Sequence, residues 1–242
     1  MTRQRLFDHL TDTDIFAGIV GALCHDFDHP GFNNAFMINS KDELAIRYND
    51  SSVLENHHLS STFQLLCQEQ YNIFENCSAE AYKEVRETII RIVLATDFSK
   101  HFEVLGQFKS KLASGPLEYS KLEDRRLVLC VALKCADVSH TAKSTDMHLE
   151  WTNRVTEEFY TQGDIERQRN LPLSPYMDRK TGDLPKSQIG FISFLVLPLY
   201  KVWCEEFTDS EICLTCLQAN LDNWKHKSLE NEAKKSKDPT QK

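Results

Sequence analysis

From Lys121 to Ala136 the sequence passes from a charged opening turn into Leu127-Val128-Leu129-Cys130-Val131-Ala132-Leu133, a run that is apolar on every face of a helix. Such a helix cannot lie at a surface, so it belongs at the centre of a domain with other helices packed around it. Asp137 closes the run. A carboxylate in that position has to be paired, hydrated or bound to metal, because an unpaired charge at a buried helix end is costly.

The rest of the chain supplies helices to surround this one. Leu10-Thr11-Asp12-Thr13-Asp14 has capping-box-like spacing, with Asp14 in the place usually taken by Glu or Gln. The helix it opens carries Ile15, Ile19, Ala22 and Leu23 at helical spacing, which predicts that this stripe anchors it. Residues 33–48 read as helix with loops, and a further helix is predicted from Val53 through Phe63 and Leu66. Ser78 is the expected N-cap of a long helix with Val85, Ile89, Ile92 and Val93 on one side, ending near Ala95-Thr96-Asp97. Trp151, Val155 and Phe159 form an i, i+4, i+8 stripe on a later helix. Gly163 to Lys186, with three prolines and two glycines, reads as the longest loop. Ser187 opens an apolar helix through Tyr200, and Thr208 to Glu211 is a second capping box before a last helix. With no repeat and no alternating run long enough for a sheet, the predicted fold class is all-α.

At 242 residues and 41% hydrophobic content the chain holds a substantial core. One domain is expected over residues 1–230, with a polar, lysine-rich and disordered tail over 231–242. The net charge of −8 argues against a nucleic-acid or anionic-membrane binder, which needs a basic face. The eight cysteines lie largely inside apolar helical patterns and read as reduced thiols in a cytoplasmic protein. Cys213 and Cys216 have the spacing of half a zinc site, but no second pair follows, so a helix-face pair is the plainer reading. Met1 to Asp8 lacks the apolar core of a secretory signal, and Ile15 to Cys24 is too short to span a bilayer, so no membrane insertion is expected.

Chemistry concentrates in Leu23-Cys24-His25-Asp26-Phe27-Asp28-His29-Pro30, where two imidazoles and two carboxylates fall within five residues. These nitrogen and oxygen donors suit zinc or another divalent first-row ion, and an Asp carboxylate can bridge two ions. His25 and Asp26 would bind a first metal, with Asp26 reaching a second. Taken alone, the same residues read more simply as a hydrogen-bonded core histidine followed by a capped turn. The surrounding sequence decides between the two.

That surrounding sequence resembles the catalytic domain of the class I 3',5'-cyclic-nucleotide phosphodiesterases, a helical branch of the His-Asp metal hydrolases. The resemblance runs from about Leu10 to Trp224 and rests on six blocks in the family's order. These are Cys24 to Gly31, Tyr48-Asn49-Asp50 with Val53 to His58, Leu94 to Asp97, Cys135 to His140, Glu157 to Tyr160, and Ser187 to Phe191. It implies that His25, Asp26 and Asp137 hold a first, zinc-like ion, and that Asp26 bridges to a second, magnesium or manganese. It also implies that His29 and Thr96 order water beside the metals, and that Glu55 pairs with a proton-donating histidine. Gln188 would read the purine, Phe191 would stack on it, and Val155 would line the opposite wall.

The implied reaction opens a cyclic phosphodiester to the 5'-monophosphate. Two cations on the order of 3.5–4 Å apart neutralise the phosphate oxygens and align an in-line attack. The ribose 3' oxygen leaves only when it receives a proton, the task of a general acid. The amide of Gln188 offers a donor and an acceptor for a base edge. Both cyclic AMP and cyclic GMP stay open, since amide orientation is set by a hydrogen-bond network and His140 is a weak clue. The implied partner is the cyclic nucleotide, with self-association as an option.

One family feature is missing. The His-Asn-x-x-His motif that supplies the proton donor and a further zinc ligand upstream of the His-Asp pair does not occur here, and the only earlier histidine is His9. The expectation is an N-terminally truncated domain with Glu55 deprived of its partner and with core faces left exposed. A catalytically impaired chain that acts by pairing with a full-length relative is the alternative, and another His-Asp nucleotide hydrolase a third. His57 or His58 would be the substitute proton donors.

Overall fold

The computed structural model describes residues 6–237, with side chains to residue 234, and among the described residues every regular element is a helix. Contacts divide the chain into two units at Asp137, and each is described by itself. The first contains α1 (Asp12–Cys24), α2 (Asn34–Asn39), α3 (Glu43–Arg47), α4 (Val53–Leu66), α5 (Ala79–Leu94), α6 (His101–Ser114) and α7 (Leu122–Asp137). The helix predicted to be central is α7. Val128 and Val131 have no exposed surface, and α1, α5 and α6 pack around it.

The expected capping box opens α1: the Thr11 side chain accepts from the Asp14 N–H, and the Asp14 carboxylate accepts from the Thr11 N–H at 2.9 Å. The inward face of that helix corrects the sequence expectation. Asp14, Ala17, Val20, Gly21 and Cys24 are buried, whereas Ile19 is 55% and Leu23 81% exposed. Both faces are apolar enough to serve, and packing against α5 selects between them. A Cβ on Gly21 would lie 2.3 Å from Ile92 Cδ1, so the glycine lets the two helices approach closely. Ile19 and Leu23 thus form an apolar face left exposed, where the sequence pattern had them anchoring the helix. α5 begins at its expected cap, Ser78, whose side chain accepts from the Ala81 N–H. α6 was not anticipated; it buries Val104, Leu105 and Phe108.

The second unit contains α8 (Thr145–Gln168), α9 (Leu184–Gly190), a π-helical stretch (Phe191–Val196), α10 (Leu197–Glu206) and α11 (Glu211–Lys237). The loop expected from Gly163 begins only after Gln168. Gly163 is a packing glycine, not a breaker: a Cβ there would sit 1.8 Å from the Met177 carbonyl oxygen, so the following loop folds directly over the helix backbone. The apolar segment after Ser187 is interrupted by the π turn. Pro198 lacks an N–H and its ring crowds the preceding turn, which accounts for the widened helix just before it. The capping box expected at Thr208 is replaced by a 3-10 turn, Thr208–Ser210, and Ser210 Oγ accepts from Trp203 Nε1 at 3.1 Å.

Residues 231–237 continue α11, while 238–242 lie outside the described residues. Leu184–Glu206 is long and apolar enough to cross a membrane by length and composition alone, unlike the shorter run weighed above. Its buried residues Ile192, Val196, Leu199 and Trp203 mark it equally as a core segment of this unit.

Candidate metal centre

Two helix ends converge on the candidate site. α1 finishes at Cys24, which delivers His25 and Asp26, and α7 finishes at Asp137. His25 Nε2 lies 3.3 Å from Asp26 Oδ2 and 3.6 Å from Asp137 Oδ1. One donor atom from each residue lies within 4.8 Å of the others, so a single ion can be reached by all three. The opposite ring nitrogen of His25 faces the Ala22 carbonyl at 2.8 Å, which fixes Nδ1 as the protonated nitrogen and leaves Nε2 as the ligand.

The electrostatics suit a cation. Without metal, the His25 pKa is raised to about 9, first by its hydrogen bond to Asp137, against the opposing effect of burial, with Asp26 adding to the rise. Imidazole nitrogen plus two carboxylate oxygens is a ligand set of zinc and similar divalent ions, and Asp26, largely exposed, keeps an oxygen for a second ion.

The neighbouring residues expected at the site fall into two groups. His29 accepts the Gly31 N–H at Nδ1, 3.0 Å away, and its ring stacks on His58 at 5.5 Å. His58 is buried; its Nδ1 meets the Phe27 carbonyl at 2.7 Å and its Nε2 stands 3.9 Å from Asp26 Oδ1. Burial holds the His58 pKa below its ordinary value, so the ring is a neutral neighbour to Asp26. His57 pairs with Asp28 at 2.9 Å, and Asp28 sits at φ 62, a left-handed turn that swings its carboxylate toward α4. Thr96 is buried and donates its hydroxyl to the Val93 carbonyl at 2.7 Å, which leaves only its lone pairs for a water.

Glu55 has a partner the sequence did not suggest. Asn34 Nδ2 donates to its Oε2 at 3.0 Å, and Asn34 Oδ1 accepts the Leu54 N–H at 2.9 Å. One amide therefore orients the carboxylate and caps α4, whose own N-cap, Ser52, makes no side-chain capping bond and instead donates its hydroxyl to Asp97 Oδ2 at 2.8 Å. Burial raises the Glu55 pKa, only partly countered by the Asn34 hydrogen bond. Asn34 and Glu55 are 21 residues apart, and nothing in helical periodicity links them.

The expected base-binding residues belong to the second unit. Gln188 lies in the last turn of α9, and its Oε1 is buried without a hydrogen-bond partner. Phe191 begins the π-helical stretch. Val155 is exposed on α8, as are Trp151 and Phe159, so this stripe is not core.

A family model described as 3'5'-cyclic nucleotide phosphodiesterase matches residues 1–217. The chain is 37% identical over 242 residues to the 3',5'-cyclic-nucleotide phosphodiesterase regA of Dictyostelium discoideum, covering all of this chain and 30% of that protein. It is 36% identical over 231 residues to the human high affinity cGMP-specific 3',5'-cyclic phosphodiesterase 9A, covering 95% of this chain and 39% of that one. Against the rat 3',5'-cyclic-AMP phosphodiesterase 4C it is 41% identical over 219 residues, covering 88% and 41%. The chain thus spans less than half the length of these curated relatives. Among solved structures, the phosphodiesterase domain of the RhoPDE fusion protein from the choanoflagellate Salpingoeca rosetta is similar, with a TM-score of 0.88 and 34% identity. That match covers 93% of this chain and 72% of the other.

Proposed function

Because the chain belongs to the 3',5'-cyclic-nucleotide phosphodiesterase family, we propose that it hydrolyses a 3',5'-cyclic nucleotide to the 5'-monophosphate at a divalent-metal site held by His25, Asp26 and Asp137. The observation that carries the proposal is the meeting of those three donors within 4.8 Å at the ends of two helices. The donor set fits zinc in the first position, with magnesium or manganese reached through Asp26 in the second. Bound there, the metals supply charge neutralisation at the phosphate and lower the pKa of water.

The chain's own residues would do the rest. His29 and Thr96 offer hydrogen bonds to ordered water, and Asn34 holds the Glu55 carboxylate in one orientation. The unpartnered Oε1 of Gln188 supports its role in reading the base, since a buried acceptor left without a donor is destabilising until a ligand provides one. Phe191 would stack on the base and Val155 would flank it. The relatives' names divide between cyclic GMP and cyclic AMP, so both nucleotides are candidate substrates. Turnover is expected to be slow, because Glu55 is bonded to an amide where a proton-donating imidazole is needed, and general-acid assistance contributes roughly 10²- to 10⁴-fold.

The test is incubation of the purified chain with zinc and magnesium and each cyclic nucleotide in ¹⁸O-labelled water, with products resolved by mass spectrometry. A 5'-monophosphate carrying the label on phosphorus is the expected product. Formation of the 3'-monophosphate, or no turnover of either nucleotide above a metal-free control, would overturn the proposal.

A further inference from the structure

Lys134 directly follows the apolar run of α7 and is 4% exposed, as deeply buried as Leu133 and Cys135 beside it. Its Nζ donates to the Ala95 carbonyl at 2.8 Å. Ala95 is the C-cap of α5, so its carbonyl is one that the helix leaves unsatisfied, and a cation there also meets the negative end of the α5 dipole. The ring of Phe98 lies beneath the ammonium, with Nζ 5.9 Å from its centroid.

Two carboxylates are set close to this buried charge. Asp137 stands three residues further along α7, one turn away on the same face. Asp97 comes two residues after the clamped Ala95, is buried, and accepts from two neutral donors, the Ser52 hydroxyl at 2.8 Å and the Ser99 N–H at 2.8 Å. Burial lowers the Lys134 pKa, opposed first by Asp137 and then by Asp97, so the ammonium lies within the field of both. A single carbonyl cannot satisfy the three N–H groups of an ammonium, and the carboxylates compensate its burial through that field.

We infer that Lys134 is a counter-charge built into the metal centre, which offsets the carboxylates of Asp137 and Asp97 and restrains the affinity of the centre for dications. This role rests on His25, Asp26 and Asp137 being the metal centre. A dication held by Asp137 is repelled by the ammonium one turn back on α7. At an effective dielectric of about 20 and a separation of about 8 Å, that repulsion corresponds to roughly tenfold or more in affinity. The sign separates this role from a purely structural one. Replacing a residue that only supports the fold loosens a metal site, whereas removing this charge tightens it.

The test uses the full chain with Lys134→Gln, which keeps a donor for the Ala95 carbonyl, and Lys134→Met, which keeps the apolar stem without one. Zinc affinity is measured at one fixed pH by competition with a chromophoric chelator, with Asp137→Asn as the blank for zinc bound elsewhere. Both neutral variants are expected to bind zinc about tenfold more tightly than the unsubstituted chain. Unchanged or weaker binding in a folded Lys134→Gln variant would overturn the inference, and Lys134→Met decides by the same criterion if the Gln variant does not fold. With all metal removed by chelator, urea unfolding of Lys134→Gln, Asp137→Asn and the double variant isolates the coupling between the two charges. Lys134→Gln is expected to lower the unfolding midpoint, and to lower it less in the Asp137→Asn background. Equal losses in the two backgrounds would overturn the inference whether or not zinc binds. No zinc bound by the unsubstituted chain or by either variant, with the coupling intact, would overturn the metal centre itself and with it the restraint on affinity.

Discussion

Replacing Asp14 by Ala tests how the two metal-bearing helices are held in register. Asp14 is 1% exposed on α1, and its Oδ2 accepts from Arg125 Nε on α7 at 2.6 Å and from the Thr11 hydroxyl at 2.6 Å. Arg125 is itself buried, with its remaining bond to the Tyr119 carbonyl at 2.9 Å. Removing the carboxylate strands that guanidinium in the core, a loss of roughly 3–5 kcal/mol for a buried pair broken on one side. For a chain of this size each kcal/mol moves the melting temperature by about 2–4 °C, so the expected fall is on the order of 6–20 °C. Urea unfolding followed by circular dichroism measures the free energy directly. Because α1 carries His25 and Asp26 while α7 carries Asp137, metal affinity should fall together with stability. The paired change Asp14→Leu with Arg125→Met should recover most of the loss, since an apolar pair of similar volume tolerates burial well. A cost under about 1 kcal/mol for Asp14→Ala, the range of an exposed pair, would refute the claim that this ion pair sets the register of α1 on α7.

Three further outcomes are expected. Gly163→Ala should destabilise by about 1–3 kcal/mol in urea unfolding, because overlap with the Met177 carbonyl outweighs the roughly 1 kcal/mol gain in helix propensity; a stabilised variant would mean the loop does not lie on that glycine. Gln188→Ala should raise KM for the cyclic nucleotide far more than it alters zinc content, and an unchanged KM would remove Gln188 from the base site. His148 binds its proton near pH 4 in the folded chain but near 6.5 when unfolded, so between those values the unfolded state holds more protons and stability falls as pH falls. His148→Gln should flatten that part of the stability profile, and an unaltered slope would show that other groups produce it.

Much of this was legible in the residues themselves. The all-apolar run of α7 announced its central place, Ser78 and Thr11 announced their helices, and the adjacency of His25 and Asp26 already joined two of the three donors. The third, Asp137, was legible as a carboxylate needing a partner at a buried helix end. What stayed hidden depends on contacts between distant segments. The choice between the two apolar faces of α1 is made by Gly21 meeting Ile92, and period alone gives both faces equal standing. Gly163 carries the composition of a loop, yet its missing Cβ serves a helix that another segment covers. Asn34 finds Glu55 across a separation at which sequence spacing carries no signal. The polar partners that orient site residues are tertiary features, while the ligands themselves are local ones.

The central claim is that His25, Asp26 and Asp137 share a divalent ion, and the most direct measurement is the metal content of the purified chain beside that of Asp137→Ala after equilibration with zinc and gel filtration. The unsubstituted chain is expected to retain zinc in stoichiometric amount, and the variant to lose it while its far-ultraviolet circular dichroism stays that of a helical protein. Stoichiometric zinc in the variant, or none in the unsubstituted chain, would contradict the account.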